Sequence, residues 1–403
     1  MMNALLFPLA FVSPAVFLAF MLGLKENKEW PVLKALALGL CAGIAFYGMR
    51  CDATTDIYRH IALLPAYNTT FLGCFDAGHY GGLFVWDMWC WVIEKIGDPY
   101  LLQSSAAFVG YAIIGYICID YSTRQGERCN SWVVSFLFAF CAIPVFPLVA
   151  GIRSTIAVLI CALAFYLYNM KGCPMLVAAL LDVMAVMIHQ VALFPLVLLA
   201  IIPLARKWPK GALIGCFAAF MLVASIGQIL LPFLPSGNNV FGFLRKAIEA
   251  LLMYDKGDDW TAANASSLNG IVNRVSTLSL ICTVLVSSLR HLGQSRCDER
   301  LLGLGLYVSL IAVASAALIV VLPVNGERFL PAAYALAAPL VYDFLKTGKR
   351  HKRSGHHIIE AVVFLLCAAA LCLHVYSLIY GSSDTATLVM TCFFGVLGAL
   401  FVG

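Results

Sequence analysis

Charge is scarce in this sequence. Charged residues make up 12% of the 403, against about 25% in a soluble domain, while hydrophobic residues reach 62%. No stretch is long and polar enough to fold apart, so residues 1–403 are expected to form a single transmembrane domain. Metal-ligand spacing is missing as well. The fifteen cysteines form no CxxC and no Cys/His pattern, and most (Cys41, Cys118, Cys161, Cys282, Cys367, Cys372) lie in apolar runs, where a thiol acts as a small hydrophobe. Neither a metal nor a cofactor is expected, and no nucleic-acid partner. No basic segment precedes the first apolar run and no small-x-small site follows it, so that run is expected to stay as an anchor. The lack of an internal repeat argues against inverted-repeat transporters.

What the chain does have is repeated apolar runs of roughly 20 residues separated by short charged loops, the pattern of an all-α polytopic membrane protein. The runs predict helices over 4–24, 35–49, 99–119, 131–149, 153–169, 174–189, 191–205, 211–232, 270–289, 301–323, 328–345, 357–380 and 385–403, or about 12–14 transmembrane helices. Lysine and arginine set the orientation. Alternate loops carry Lys25, Lys28 and Lys34; Arg124 and Arg128; Lys171; Arg206, Lys207 and Lys210; Arg290, Arg296 and Arg300; and the run Lys346–Arg353. These loops are assigned to the cytoplasm, which puts the N-terminus outside. Lys346–Arg353 also suits contact with anionic lipids.

Further basic residues lie at the opposite ends of the helices: Arg50, Arg59, Arg153, Arg245, Lys246, Lys256, Arg274 and Arg328. Topology does not require them there, and an anionic ligand is the economical explanation. Two outer loops are long, about 50–98 and 233–269. The first ends in a Trp-rich stretch (Trp86, Trp89, Trp91, with Asp87, Glu94 and Lys95) that suits a helix lying in the interface or dipping partway in, its indoles as anchors rather than sugar platforms. In the second, Phe241, Leu244, Ile248, Leu251 and Leu252 recur at helical spacing, which predicts another helix lying flat on the membrane. Cys51 and Cys74 share the first loop and are a possible disulfide pair.

The central stretch runs from Gly151 to Phe194 and reads as two apolar helices joined by a tight turn at Asn169–Pro174. Arg153 opens the first helix and His189 closes the second. An antiparallel hairpin brings those two residues to one side of the membrane. Arginine binds phosphate oxygens in pairs and stays charged, whereas histidine exchanges protons near neutrality. Asp182 stands alone in the second helix, at a depth that favours a structural hydrogen bond.

With Arg50, Asp56 and Tyr58 in an outer loop, Gly151-Ile152-Arg153, Ile188-His189 and Glu327-Arg328-Phe329, the chain resembles the EpsG family of Wzy-like bacterial polysaccharide polymerases. The resemblance reaches over most of residues 40–345. It departs from the family pattern at Arg59-His60, where a second aromatic is expected. It implies a glycosyltransferase-C-like enzyme in the bacterial cytoplasmic membrane, with its active site facing outside. Its substrates would be oligosaccharide repeat units on undecaprenyl pyrophosphate, as donor and as acceptor, joined into a capsule, exopolysaccharide or O-antigen. A flippase and a chain-length regulator would be its partners.

Such a transfer must stabilise charge on the departing pyrophosphate and take a proton from the acceptor hydroxyl. Arg153, Arg328 and Arg50 are the candidates for the first task, and either His189 or Asp56 for the second. Asp56 has a competing reading as a scaffold, since on a helix it shares a face with Arg59 and His60. Tyr58, His60, Glu327 and Arg245 are candidate substrate contacts, although Tyr58 suits an interface anchor better. An O-antigen-type ligase and a lipid-linked oligosaccharide flippase are the alternative functions. The near-absence of mid-helix charge other than Asp182 weighs against the flippase.

Overall fold

The computed structural model describes residues 30–47, 56–77, 83–125, 131–143, 151–235, 268–290, 298–321 and 326–350, parts of 361–373, and the isolated residues Ser13, Pro14, Met49, Leu148 and Arg245. Among the described residues every regular element is a helix. In hydrocarbon each backbone N–H and C=O needs an internal partner, and a helix supplies one within a single segment. Among the described residues five helices are long and apolar enough to cross a membrane, and shorter apolar helices accompany them. The protein is an all-α polytopic membrane protein.

The chain divides into two compact units. The first comprises Met1–Leu163, Val183–His189 and Leu371–Gly403; the second comprises Ala164–Asp182 and Gln190–Ala370. In the first unit, α1 (Pro31–Tyr47) leads to a short helix α2 (Asp56–Leu63), a 3-10 turn (Leu64–Tyr67) and α3 (Gly73–Ala77). Then come α4 (Phe84–Ile96), α5 (Leu101–Arg124), α6 (Ser131–Ala142) and the start of α7 (Ile152–Tyr166). Within the run expected over 131–149, α6 ends at Ala142, because Pro144 disfavours helical geometry at the residue before it; residues 144–147 lie outside the described residues, and Leu148 is helical.

The backbone of this unit is the pairing of α1 with α5, built on Gly39 and Gly43, four residues apart. A Cβ on Gly39 would stand 2.9 Å from Ala112 Cβ, and one on Gly43 would stand 3.0 Å from the Ser104 carbonyl. Small residues at this spacing let two helices approach closely where no hydrophobic effect drives them together. The seam is closed by polar bonds. Ser104 donates to the Gly43 carbonyl at 2.7 Å, and buried Gln103 donates to the carbonyls of Phe46 (2.8 Å) and Met49 at the end of α1. The Phe46 carbonyl also accepts from Met49 N at 3.2 Å, and the Gln103 side chain adds a second bond at the end of α1 that ties it to α5.

The second unit contains the end of the α7 stretch, most of α8 (Met175–Ile188), α9 (Leu193–Lys207), α10 (Pro209–Leu230), α11 (Leu268–Leu289), α12 (Glu299–Val321) and α13 (Leu330–Arg350). At its centre is α12, buried on nearly all sides and packed against α9, α10, α11 and α13. Phe194 stacks on Phe329 with ring centroids 3.6 Å apart, and Phe165 lies on Tyr307 at 4.1 Å. Gly326 seats the corner before α13: a Cβ there would come within 2.7 Å of the Ser315 carbonyl and 2.6 Å of Ile319 N.

The ends at 4–24 and 385–403 and most of the loop 233–269 lie outside the described residues, as does Cys51. Cys74 is a buried free thiol. Replacing Gly39 by Val should force α1 off α5 and lower stability by about 1–3 kcal/mol. Gly215→Ala on α10 is the control, because nothing stands within 4 Å of its Cβ direction and alanine favours helix. Thermal unfolding in detergent checks the pair: the midpoint should drop for the first and hold or rise for the second.

Candidate functional site

The loop expected to lie on the membrane surface folds inward on itself. The 13 residues of α4 make a helix about 20 Å long, too short to span a bilayer. Its outward stripe is apolar: Phe84, Met88, Val92 and Ile96 repeat every four residues and are all exposed. Its inward face buries Trp86, Asp87, Cys90 and Ile93. The pattern is inverted relative to a soluble amphipathic helix, with aliphatic residues outside and a carboxylate inside. Gly97, at φ 82°, ends the helix in a left-handed turn, and its N–H reaches the carbonyls of Ile93 and Glu94.

Trp86 does not act as a surface anchor, and the half-buried Trp89 and Trp91 bond within the protein. Trp86 is 1% exposed, while Trp89 donates to Ser105 Oγ at 2.9 Å and Trp91 to the Thr69 carbonyl at 3.1 Å. An indole N–H inside a folded loop needs a protein partner, and these two tie α4 to its neighbours.

Around Trp86 the polar side chains gather. The Arg153 guanidinium lies over the indole face, 5.5 Å from its centroid, and the His60 ring meets the indole at 5.0 Å. Asp87 is 0% exposed, and Tyr67 donates to its Oδ1 at 2.9 Å. The Cys90 thiol lies in the fields of both Asp87 and Arg153; burial and the Asp87 carboxylate push it well up, and Arg153 draws it down. His60 is lowered to about 4 from an ordinary 6.5, by burial first and then by the charges of Arg153 and Arg59, with Asp56 opposing. At neutral pH His60 is therefore a neutral imidazole, able to donate and accept hydrogen bonds but a weak base.

Arg153 occupies the first turn of α7, just after Gly151. A helix N-terminus disfavours a cation, and the aromatic face offsets that cost. An anion arriving there would meet both the positive end of the helix and the guanidinium. This cluster gathers a guanidinium, a buried carboxylate and a neutral imidazole in one place.

Of the other expected site residues, Asp56 and Tyr58 are also on α2. Asp56 forms an ion pair with Arg59 at 2.6 Å on the exposed side, and Tyr58 is exposed. His189 ends α8 half-buried, in the same unit as Arg153. Arg50 lies outside the described residues. Arg245 donates to the Leu234 carbonyl at 3.0 Å and, with Glu327 and Arg328, falls in the second unit. There Glu327 is raised from 4.5 to about 7 by burial, opposed by Arg274. Among the described residues no group of three or more His, Cys, Asp or Glu side chains is arranged to hold a metal ion.

Sequence reasoning did not single out Asp87 and took Trp86 for an interface anchor. The signal was present: Asp87 stands off the apolar stripe Phe84, Met88, Val92 and Ile96, on the side of α4 that also carries Trp86 and Cys90.

His60 and Glu327 give opposite dependences on pH. Between about pH 4 and 6.5 the unfolded chain protonates His60 and the folded one does not, so this residue makes stability rise with pH. Between about 4.5 and 7 the folded chain holds a proton on Glu327 that the unfolded chain has lost, so stability falls as pH rises. Unfolding of His60→Gln and Glu327→Gln across pH 4 to 7 should separate the two, the first variant flattening the acid-side loss and the second the loss toward neutrality.

A family model described as the EpsG family matches residues 35–243. The match takes in Asp56, His60, Trp86, Asp87, Arg153 and His189 and ends before Glu327 and Arg328. No curated protein and no solved structure matches the chain.

Proposed function

The chain belongs to the EpsG family, and from that premise, which makes it a polymerase-like membrane glycosyltransferase, we propose that it joins undecaprenyl-pyrophosphate-linked oligosaccharide repeat units into a surface polysaccharide. The reaction takes place on the outer side of the cytoplasmic membrane. The growing glycan leaves its carrier and is transferred to the non-reducing end of the next lipid-linked unit.

The observation that supports this reading is the gathering of Arg153, His60 and Asp87 around Trp86. An acceptor hydroxyl gives its proton to a carboxylate or imidazole, and its oxygen attacks the anomeric carbon. The bond from that carbon to the pyrophosphate oxygen breaks, and the oxygen keeps the electron pair. Arg153, at a helix N-terminus, stabilises the negative charge that builds there. Asp87 takes the base role ahead of Asp56, whose Oδ1 is already engaged by Arg59 at 2.6 Å. His189 is the alternative base. His60, neutral in the folded protein, positions a phosphate or a hydroxyl.

Purified protein supplied with a defined lipid-linked repeat unit should produce a ladder of products. A single transfer to another acceptor would instead mean a ligase, and transport without a new glycosidic bond a flippase. Arg153→Ala should slow the rate by roughly two to three orders of magnitude, as for a lost oxyanion-type donor. Asp87→Asn keeps an acceptor for Tyr67 but loses the charge, and should lower kcat by about a hundredfold or more with little change in KM. Near-normal polymer from both variants, at normal protein level, would falsify the assignment. Arg328→Ala, in the other unit, is assayed in parallel.

A further inference from the structure

The α7 stretch does not finish as an α-helix. Its last turn, Leu167–Lys171, widens into a π-turn, and Gly172 closes it at φ 67°. Such turns carry an extra residue and recur at functional positions. Here the turn joins the start of α12. Asn169 Nδ2 donates to the Arg300 carbonyl at 2.7 Å, and Arg300 Nη1 donates back to the Met170 carbonyl at 3.1 Å. Gly303 completes the seam. A Cβ there would come within 2.6 Å of Asn169 Oδ1 and 3.0 Å of Arg206 Nη2, so a larger residue would displace both side chains. What remains is a polar notch of about 320 Å³, lined by Tyr168, Asn169, Arg206, Glu299 and Arg300 among others.

Arg206 has an ordinary role in the last turn of α9, and Glu299 in the first turn of α12, where a cation and an acid each offset a helix dipole; Arg300 is a cation in that same first turn and does not fit the account. Glu299 shares the notch with two guanidinium groups, and among the described residues neither Glu299 nor Arg206 forms an ion pair or a hydrogen bond. All three charged side chains are exposed, so both signs of charge are open to a ligand at the notch. The notch also lies at the ends of three helices able to cross a membrane, Ile152–Lys171, Gln190–Lys207 and Glu299–Val321, where lipid headgroups are found. Tyr168 at its edge is half exposed, as interfacial tyrosines are.

We infer that this notch binds a zwitterionic phosphoethanolamine lipid headgroup, the phosphate on Arg206 and Arg300 and the ammonium on Glu299. Guanidinium forks suit phosphate oxygens, and a primary ammonium offers the carboxylate N–H donors that a trimethylated headgroup lacks. The inference does not depend on the transferase reading, since it uses none of the residues assigned to catalysis.

Native mass spectrometry of delipidated protein, given equal amounts of phosphatidylethanolamine, phosphatidylcholine and phosphatidylglycerol, tests it. Phosphatidylethanolamine should be retained about tenfold or more over the other two, the margin of one charge-assisted bond. Glu299→Gln should reduce that retention to the phosphatidylcholine level, and Arg206→Gln should remove it for all three. Should Arg206→Gln fail to fold, Glu299→Gln decides alone. Millimolar phosphoethanolamine, but not inorganic phosphate, should displace the bound lipid, which separates headgroup recognition from a free-phosphate site. Equal retention of phosphatidylethanolamine and phosphatidylcholine, or preference for phosphatidylglycerol, would overturn the proposal.

Discussion

Holding a charge inside an apolar protein is the constraint on which the first unit is built. An isolated carboxylate or guanidinium removed from water costs several kcal/mol unless its surroundings supply partners. Asp87 meets that condition through the Tyr67 hydroxyl, and Arg153 through the face of Trp86. Neither partner is local in sequence. The 3-10 turn at Leu64–Tyr67 exists to bring a tyrosine across to α4, and α4 folds back to place an indole under the first turn of α7. The loop between α1 and α5 is therefore folded protein with its own buried core.

The same reasoning explains why the helices beneath it are so closely fitted. Between helices surrounded by lipid there is little hydrophobic gain, so contact depends on close approach and on polar bonds. The pairing of α1 with α5 uses both, through Gly39 and Gly43 and through Ser104 and Gln103. Fixing the end of α1 in this way also fixes where the loop that carries α2 and α4 begins. A rigid base of this kind is what a preorganised charge cluster requires. In the second unit α12 plays the corresponding part, with neighbours on nearly every side.

Helix positions were legible in the sequence because a run of apolar residues long enough for a membrane has few other folded solutions. The runs expected over 99–119, 153–169, 211–232 and 301–323 match the helices Leu101–Arg124, Ile152–Tyr166, Pro209–Leu230 and Glu299–Val321 to within a few residues. Family membership was legible too, through scattered short elements such as Gly151-Ile152-Arg153. Trp86 misled. Trp86, Trp89 and Trp91 have the composition of an interfacial belt, and composition does not tell an indole at the membrane surface from one buried under an arginine. At Asp56 the scaffold alternative was legible, since its partner Arg59 lies on the next turn and takes up its charge.

Residue types and spacings alone determined that this chain is a bundle of membrane helices and which arginines lie near helix ends. They did so because water, lipid and backbone hydrogen bonding act on each segment separately, whatever the rest of the chain does. Which side chains share a pocket is a different kind of fact. Asp87 beside Tyr67, Arg153 over Trp86 and Glu299 across from Arg206 are all set by contacts between segments distant in the chain. Tertiary packing alone decided them, because the cost of burying a polar group depends on neighbours that no local pattern records.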